Sequence, residues 1–310
     1  MAEQDVETAA RRQTSIDALD RGGLPTAATE RLDEIRRGDG GWTSDLSVAE
    51  LVAVRHAGFE PVGMVMGSAV MRIAAQWGYA VGFAGAPGQN VETFPCPWNY
   101  YGGAEHVNGY NWEHTTHEGG VTSARDLALN RMVEEARVLG AHGVVGAEVT
   151  MRHLEGVGHS MEFTVIGTAI RRTGAPPVPQ PFMSHLKGQQ FGKLLHAGYV
   201  PVALVIGVGA VEIDPGCGME SSHIGWSNVE VGQLSRGVAM ARDLSIGHLE
   251  REVVHFDADG AVGVDMRFSL HDLPGSREPK LAEMFCIGTA VRHFSHEQPD
   301  AVPIAIMRLR

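Results

Sequence analysis

The stretch LVAVRHAGFEPVGMVMGSAVMRI at residues 51–73 returns, altered but recognisable, as FGKLLHAGYVPVALVIGVGAVEI at 191–213, an offset of 140 residues. His56, Ala57, Gly58 and Pro61 recur as His196, Ala197, Gly198 and Pro201. Further along, ARDLALNRMVEEARVLGAHGVVGAE from Ala124 returns as ARDLSIGHLEREVVHFDADGAVGVD from Ala241, at an offset of 117. MEFTVIGTAIRR at 161–172 returns as AEMFCIGTAVRH at 282–293, at an offset of 121. Three blocks in the same order mark an internal duplication. The changing offset measures 23 extra residues in the first copy and four in the second, between two late strands. The expected organisation is an N-terminal extension over 1–44, partly disordered, and a first repeat over 45–173 with an insertion near 78–120. A proline-rich linker over 174–183, a second repeat over 184–296 and a C-terminal tail over 297–310 complete the chain.

Each copy carries the same local signals. Ser47 and Glu50 form a capping-box pattern before an apolar run and Gly58 stands where a helix C′ residue belongs, so 47–57 is a short helix with a twin at 184–197. Val62–Ile73 and Val202–Ile213 are β-rich, mostly apolar runs bounded by turn residues, and read as strands. Over 122–139, Leu129, Met132, Ala136 and Leu139 keep helical spacing, and their counterparts Ile246, Leu249, Val253 and Phe256 are all apolar. Two strands follow, at 144–153 and 161–171, then again at 261–270 and 282–292. The unit is helix, strand, helix, strand, strand, an α+β pattern. Three strands and one long helix cannot cover both faces of a sheet, so neighbouring copies or chains must do so.

The blocks ARDLALNRMVEEARVLGAHGVVGAEV and MEFTVIGTAI resemble the YbjQ-like family, which bears a heavy-metal-binding label, in both repeats but not in the first 40 residues, the insertion or the tail. That resemblance implies a small β-α-β-β domain, similar to dodecin subunits, that assembles into a ring, typically a pentamer, without enzymatic activity. The cysteine-bearing segment on which the family's metal label rests is absent here.

Composition narrows the partners. With 25 Lys+Arg against 37 Asp+Glu, a net charge of −12 and no run of four basic residues, the chain lacks the footprint of a nucleic-acid or anionic-lipid surface. There is no apolar stretch of signal-peptide type and none of the roughly 20 residues that span a bilayer, so the sequence reads as a cytoplasmic protein without membrane insertion. Three cysteines, Cys96, Cys217 and Cys286, form neither a disulfide framework nor a zinc-ribbon spacing.

Candidate chemistry gathers around the insertion. Nine of the 20 aromatic residues fall within 77–112, among them Trp98, Tyr101 and Trp112, where they suit a subunit contact or a ligand pocket. His106, His114 and His117 are the candidate ligands for a divalent transition metal. HTTH sets two imidazoles one helical turn apart, although Gly119 and Gly120 favour a loop there, and the second copy has Val231 and Leu234 instead. Asn111 and Glu113 recur as Asn228 and Glu230, Arg125 as Arg242, and Glu162 as Glu283. These recurring residues are expected to line subunit boundaries, with Arg125 or Arg242 pairing Glu162 or Glu283 and with Glu113 or Glu230 available to a cation. Dinucleotide, P-loop and nucleophile-elbow motifs are absent.

The expected function is a non-enzymatic, self-assembling binding or scaffold protein whose main partner is itself, with a terminal tail free to reach another protein. A hydrolase-like, metal-dependent enzyme using the histidines of the insertion is the alternative. Because the copies differ most beside the long helix, like repeats are expected to meet like repeats across chains.

Overall fold

A computed structural model describes residues 2–38, 42–72, 93–95, 105–107, 111–154, 160–213, 230–273 and 279–294. The elements run α1 (Ala2–Asp20), α2 (Thr26–Arg37), α3 (Val48–His56), β1 (Phe59–Arg72), β2 (Thr93–Pro95), β3 (Glu105–Val107), β4 (Asn111–Glu113) and α4 (Thr115–Val138). They continue with β5 (Gly143–Leu154), β6 (Ser160–Arg172), β7 (Phe182–Met183), α5 (Gly188–His196), β8 (Tyr199–Ile213), α6 (Gly232–His255), β9 (Gly260–Asp272) and β10 (Lys280–His293). The protein is α+β. One sheet is ordered β1-β6-β5-β7 and a second β4-β8-β10-β9, while β2 and β3 form a separate ribbon.

The two sheets agree residue by residue. Val65 faces Gly167 in the first, and Val205 faces Gly288 in the second. Register slips at Pro61/Gly63 in β1 and at Ala290/Val291 opposite Pro201/Ala203 in β8, and again at Val145/Glu148 and at Ile287/Thr289. Bulges bend a strand and increase its twist, so shared bulges give both sheets the same curvature under a long helix. The helices approach closely: a Cβ at Gly67 would stand 1.9 Å from the carbonyl oxygen of Ala128, and one at Gly207 equally 1.9 Å from that of Ser245. Only glycine fits under such helices.

The burial patterns of β1 and β8 differ for a physical reason. β1 alternates, with one face on α4 and the other partly open, whereas β8 is buried almost throughout. Val205 and Val211 pack beneath α6. Leu204, Ile206 and Val208, with Phe285 and Ile287, join Val65, Ala128, Met132, Val149 and Phe163 in one cluster. The face of the second sheet that turns away from α6 is thus covered by α4 and the first sheet, and a two-sided strand reads as a continuous apolar run.

Several expectations are met and several are revised. Ser47 and Glu50 do form a reciprocal capping box, and Gly58 is left-handed at φ +81. The long helix α4, expected from 122, begins at Thr115, because its first turn is anchored to β8. The helix expected at 184–197 is confined to Gly188–His196, since Phe182–Met183 lies parallel to β5 as an added strand. The N-terminal extension carries α1 and α2; α2 buries Leu32 in the main core and pairs Arg31 with the buried Glu135 at 2.5 Å.

A histidine–carboxylate seam

β4 carries the chain onto the edge of the second sheet, with Glu113 opposite Val211, and the His114 N–H continues the ladder to the Ala210 carbonyl at 2.8 Å. The chain then turns into α4, where His114 acts as N-cap and its Nδ1 accepts the His117 N–H at 3.2 Å. This anchoring overrides the loop preference of Gly119 and Gly120. It also sets two imidazoles over the face of β8 and β10 from which Glu212 and Glu283 project.

Glu283, 1% exposed on β10, is the centre of the cluster. Its Oε1 contacts the His117 Nε2 from α4. Its Oε2 lies 2.7 Å from the His271 Nε2 on β9 and 3.2 Å from the His153 Nε2 on β5, and it accepts the Ser269 hydroxyl at 3.1 Å. The His153 and His271 ring centres are 4.3 Å apart, and His117 stacks beyond His153 at 6.2 Å. His114 stands 3.8 Å from the buried Glu212. Burial opposes ionisation of Glu283, but hydrogen bonds from His117, His153 and His271 outweigh it and hold the carboxyl well below its usual range. The bond to Glu283 raises His271, while burial, and then the neighbouring His117, lowers His114.

The donor set suits a metal. The ligand atoms of His153, His271 and Glu283 all lie within 4.8 Å of one another. Two imidazole nitrogens and a carboxylate oxygen are the ligand types of zinc-like divalent ions, and Ser269 and His117 would orient the carboxylate from behind. A second group, Glu113, Glu118 and His248, also converges. Its members, however, are occupied along the free edge of β8: Glu118 Oε1 accepts the Ala210 N–H at 2.7 Å and the His248 Nδ1 faces the Val208 carbonyl. Burial first, then the adjoining Glu113, pushes Glu118 up to about 7, so the Glu118 carboxyl titrates near neutrality.

Of the sequence candidates, His114, His117 and Glu283 are brought together in the seam. Glu113 sits in the neighbouring acidic group, and Asn111 in β4 donates through Nδ2 to the Gln233 carbonyl at 3.0 Å. Trp112 lies opposite Glu212 in the ladder. Arg125 does not pair with Glu162; it donates to the Ile206 carbonyl and to Glu252, both at 2.6 Å, because α4 faces the edge of β8 while Glu162 lies on the opposite face of the first sheet. Arg242 pairs with Asp243 rather than Glu283, on the exposed side of α6. Glu230 is exposed just before α6. Trp98, Tyr101 and Asn228 lie outside the described residues, as does the His106 side chain, although its backbone belongs to β3.

Sequence reasoning missed His153, His271, Ser269 and Glu212. Comparison of the copies singles out residues present twice, and the counterparts of His153 and His271 are Leu270 and Leu154. Strand alternation was the available signal: Ser269 and His271 share a face, and their cross-strand partners are Glu283 and Leu281.

Fold and cluster define an α+β protein of two similarly paired sheets with a histidine–carboxylate centre in the seam between them. Residues 107–173 match a family described as "Putative heavy-metal-binding". The chain belongs to the family of the encapsulin nanocompartment protein Rv1762c of Mycobacterium tuberculosis (strain ATCC 25618 / H37Rv), with 31% identity over 280 residues that cover 87% of this chain and 91% of that protein. It is also similar to the UPF0145 protein jk0060 of Corynebacterium jeikeium (strain K411), at 39% identity over 56 residues, 18% of this chain and 52% of that protein. No described helix is long and apolar enough to cross a membrane.

Proposed function

We propose that this protein is a non-enzymatic, self-assembling scaffold of two YbjQ-like units per chain, spanning 45–173 and 184–296, that builds a ring or larger shell and holds a divalent transition metal in its seam. The observation that carries the metal reading is Glu283, a buried carboxylate reached by the Nε2 atoms of His117, His153 and His271 from three different elements. His153, His271 and Glu283 would hold the ion, whose charge would tie α4, β5, β9 and β10 together at that point. Self-assembly is supported by membership of a family that includes an encapsulin nanocompartment protein. Matching registers and bulges in the two sheets support the duplicated unit.

The test is native mass together with melting before and after chelation. A particle of many 33.3 kDa chains, whose melting temperature falls on chelation and recovers with added zinc, is expected. A single-chain species indifferent to chelator would overturn the proposal.

A further inference from the structure

The contact between the two units inside one chain has an unmade counterpart at each end of that chain. Phe182 donates its N–H to the His142 carbonyl at 3.1 Å, Ser184 to Val144 at 2.9 Å, and Ala147 donates back to the Ser184 carbonyl at 3.0 Å. The second unit thereby adds a strand to the β5 edge of the first. Gly143 makes room for it: a Cβ there would stand 2.2 Å from the Phe182 ring. The same segment is fixed to its own sheet, with the Ser184 and Thr289 hydroxyls 3.0 Å apart and the His185 N–H donated to Thr289 at 3.2 Å.

The first unit prepares the same segment and leaves it unused. Ser44 and Thr168 are 3.2 Å apart, and Asp45 donates its N–H to the Thr168 hydroxyl at 3.2 Å. The position of Phe182 is taken by Trp42, which is 46% exposed. The position of Gly143 is taken by Gly260, where a Cβ would meet nothing within 4 Å. The faces follow suit. Ile206 and Ala210 are buried in the second unit, whereas their counterparts Met66 and Val70 are 36% and 58% exposed. Ala147 and Val149 are buried in the first unit, whereas their counterparts Val264 and Met266 are 45% and 48% exposed. Arg125 is buried against β8, and its counterpart Arg242 is exposed. Each chain therefore contains one completed interface and the two complementary halves of another.

We infer that a second copy of this chain completes it: Trp42–Leu46 of one copy adds to the Gly260–Val264 edge of β9 in the next, with Trp42 seated on Gly260, and the Met66/Val70 face meets the Val264/Met266 strip. This refines the self-assembly proposed above and rests on it. The contact is head-to-tail, and first units meet second units between chains as they do within one. Such a heterologous contact leaves free ends until a ring closes. Open strand edges flanked by apolar side chains are the surfaces a protein covers by pairing. The histidine centre does not repeat at the new contact, because the counterparts of His117, His153 and His271 are Leu234, Leu270 and Leu154.

The test blocks one half at a time. Gly260→Leu fills the seat of Trp42 where the chain itself leaves space, and Met66→Arg/Val70→Arg charges the opposite face. Each variant is expected to show the mass of a single chain by native mass spectrometry, with unchanged circular dichroism, and their equimolar mixture a species of two chains and no larger. Trp42→Ala, a change at an exposed side chain, should reproduce the loss of assembly if either variant folds poorly. Variants that keep the wild-type particle, or a mixture that remains single chains, would overturn the head-to-tail contact while leaving self-assembly standing; a wild-type protein that is itself a single chain would overturn both.

Discussion

Replacing Glu118 by Gln should stabilise the protein, increasingly so as pH rises above about 4.5. In the folded chain the Glu118 carboxyl titrates near 7 against an ordinary 4.5, because it is buried and stands beside Glu113. Between those values the folded state holds a proton that the unfolded state has released, so stability falls as pH rises through this window. At about 1.4 kcal/mol per unit, the loss reaches about 3 kcal/mol by pH 8 and vanishes below about pH 4.5. Gln is a permanent mimic of the protonated acid: its amide oxygen can take the Ala210 N–H that Glu118 Oε1 accepts at 2.7 Å, and its NH2 can donate to Glu113. Urea denaturation of both proteins at one chain concentration is the assay. At about pH 4 the two should unfold alike, and at about pH 8 the variant should lead by about 3 kcal/mol. A Glu118→Gln protein no more stable than the wild type at pH 8 would refute the raised titration of the buried Glu118 carboxyl.

Two further perturbations follow from the packing. Gly67→Ala and Gly207→Ala each drive a methyl to 1.9 Å from a helix carbonyl oxygen, so each should lower stability by about 3 kcal/mol, at the upper end for overpacking; calorimetric melting unchanged in either would contradict the close helix approach. Arg125→Ala should cost about 3 kcal/mol by stranding Glu252 and the Ile206 carbonyl, whereas Arg242→Ala should change single-chain stability by less than about 0.5 kcal/mol. Denaturation on the Gly260→Leu background separates the two, and equal costs would be inconsistent with the burial difference.

Local elements were legible in the sequence because local chemistry decides them. The Ser47/Glu50 box, the left-handed glycines and the β-rich runs stand within a residue or a few of where their patterns place them. The aligned offsets carry the residue pairing of β1/β6 onto that of β8/β10. What escaped was long-range. Nothing near Thr115 says that a helix can start through Gly119 and Gly120; the bonds from His114 and Glu118 to Ala210, almost a hundred residues away, decide it. The stretch over 174–183 reads in sequence as a proline-rich linker, yet Phe182 and Met183 at its end join a sheet, since β5 offers them an open edge. The site divides in the same way. His114 and His117 were visible as a spaced pair, whereas His153 and His271 come from unlike positions of two strands that meet only once the sheets are layered.

Elemental analysis of the purified native protein bears most directly on the seam as a metal centre. About one zinc-like divalent ion per chain is expected in the wild type, because one His153–His271–Glu283 set is present per chain, and none in the doubly substituted His153→Ala, His271→Ala protein. Metal-free wild-type protein that takes up no zinc on incubation, or a doubly substituted protein that retains its metal, would contradict the assignment.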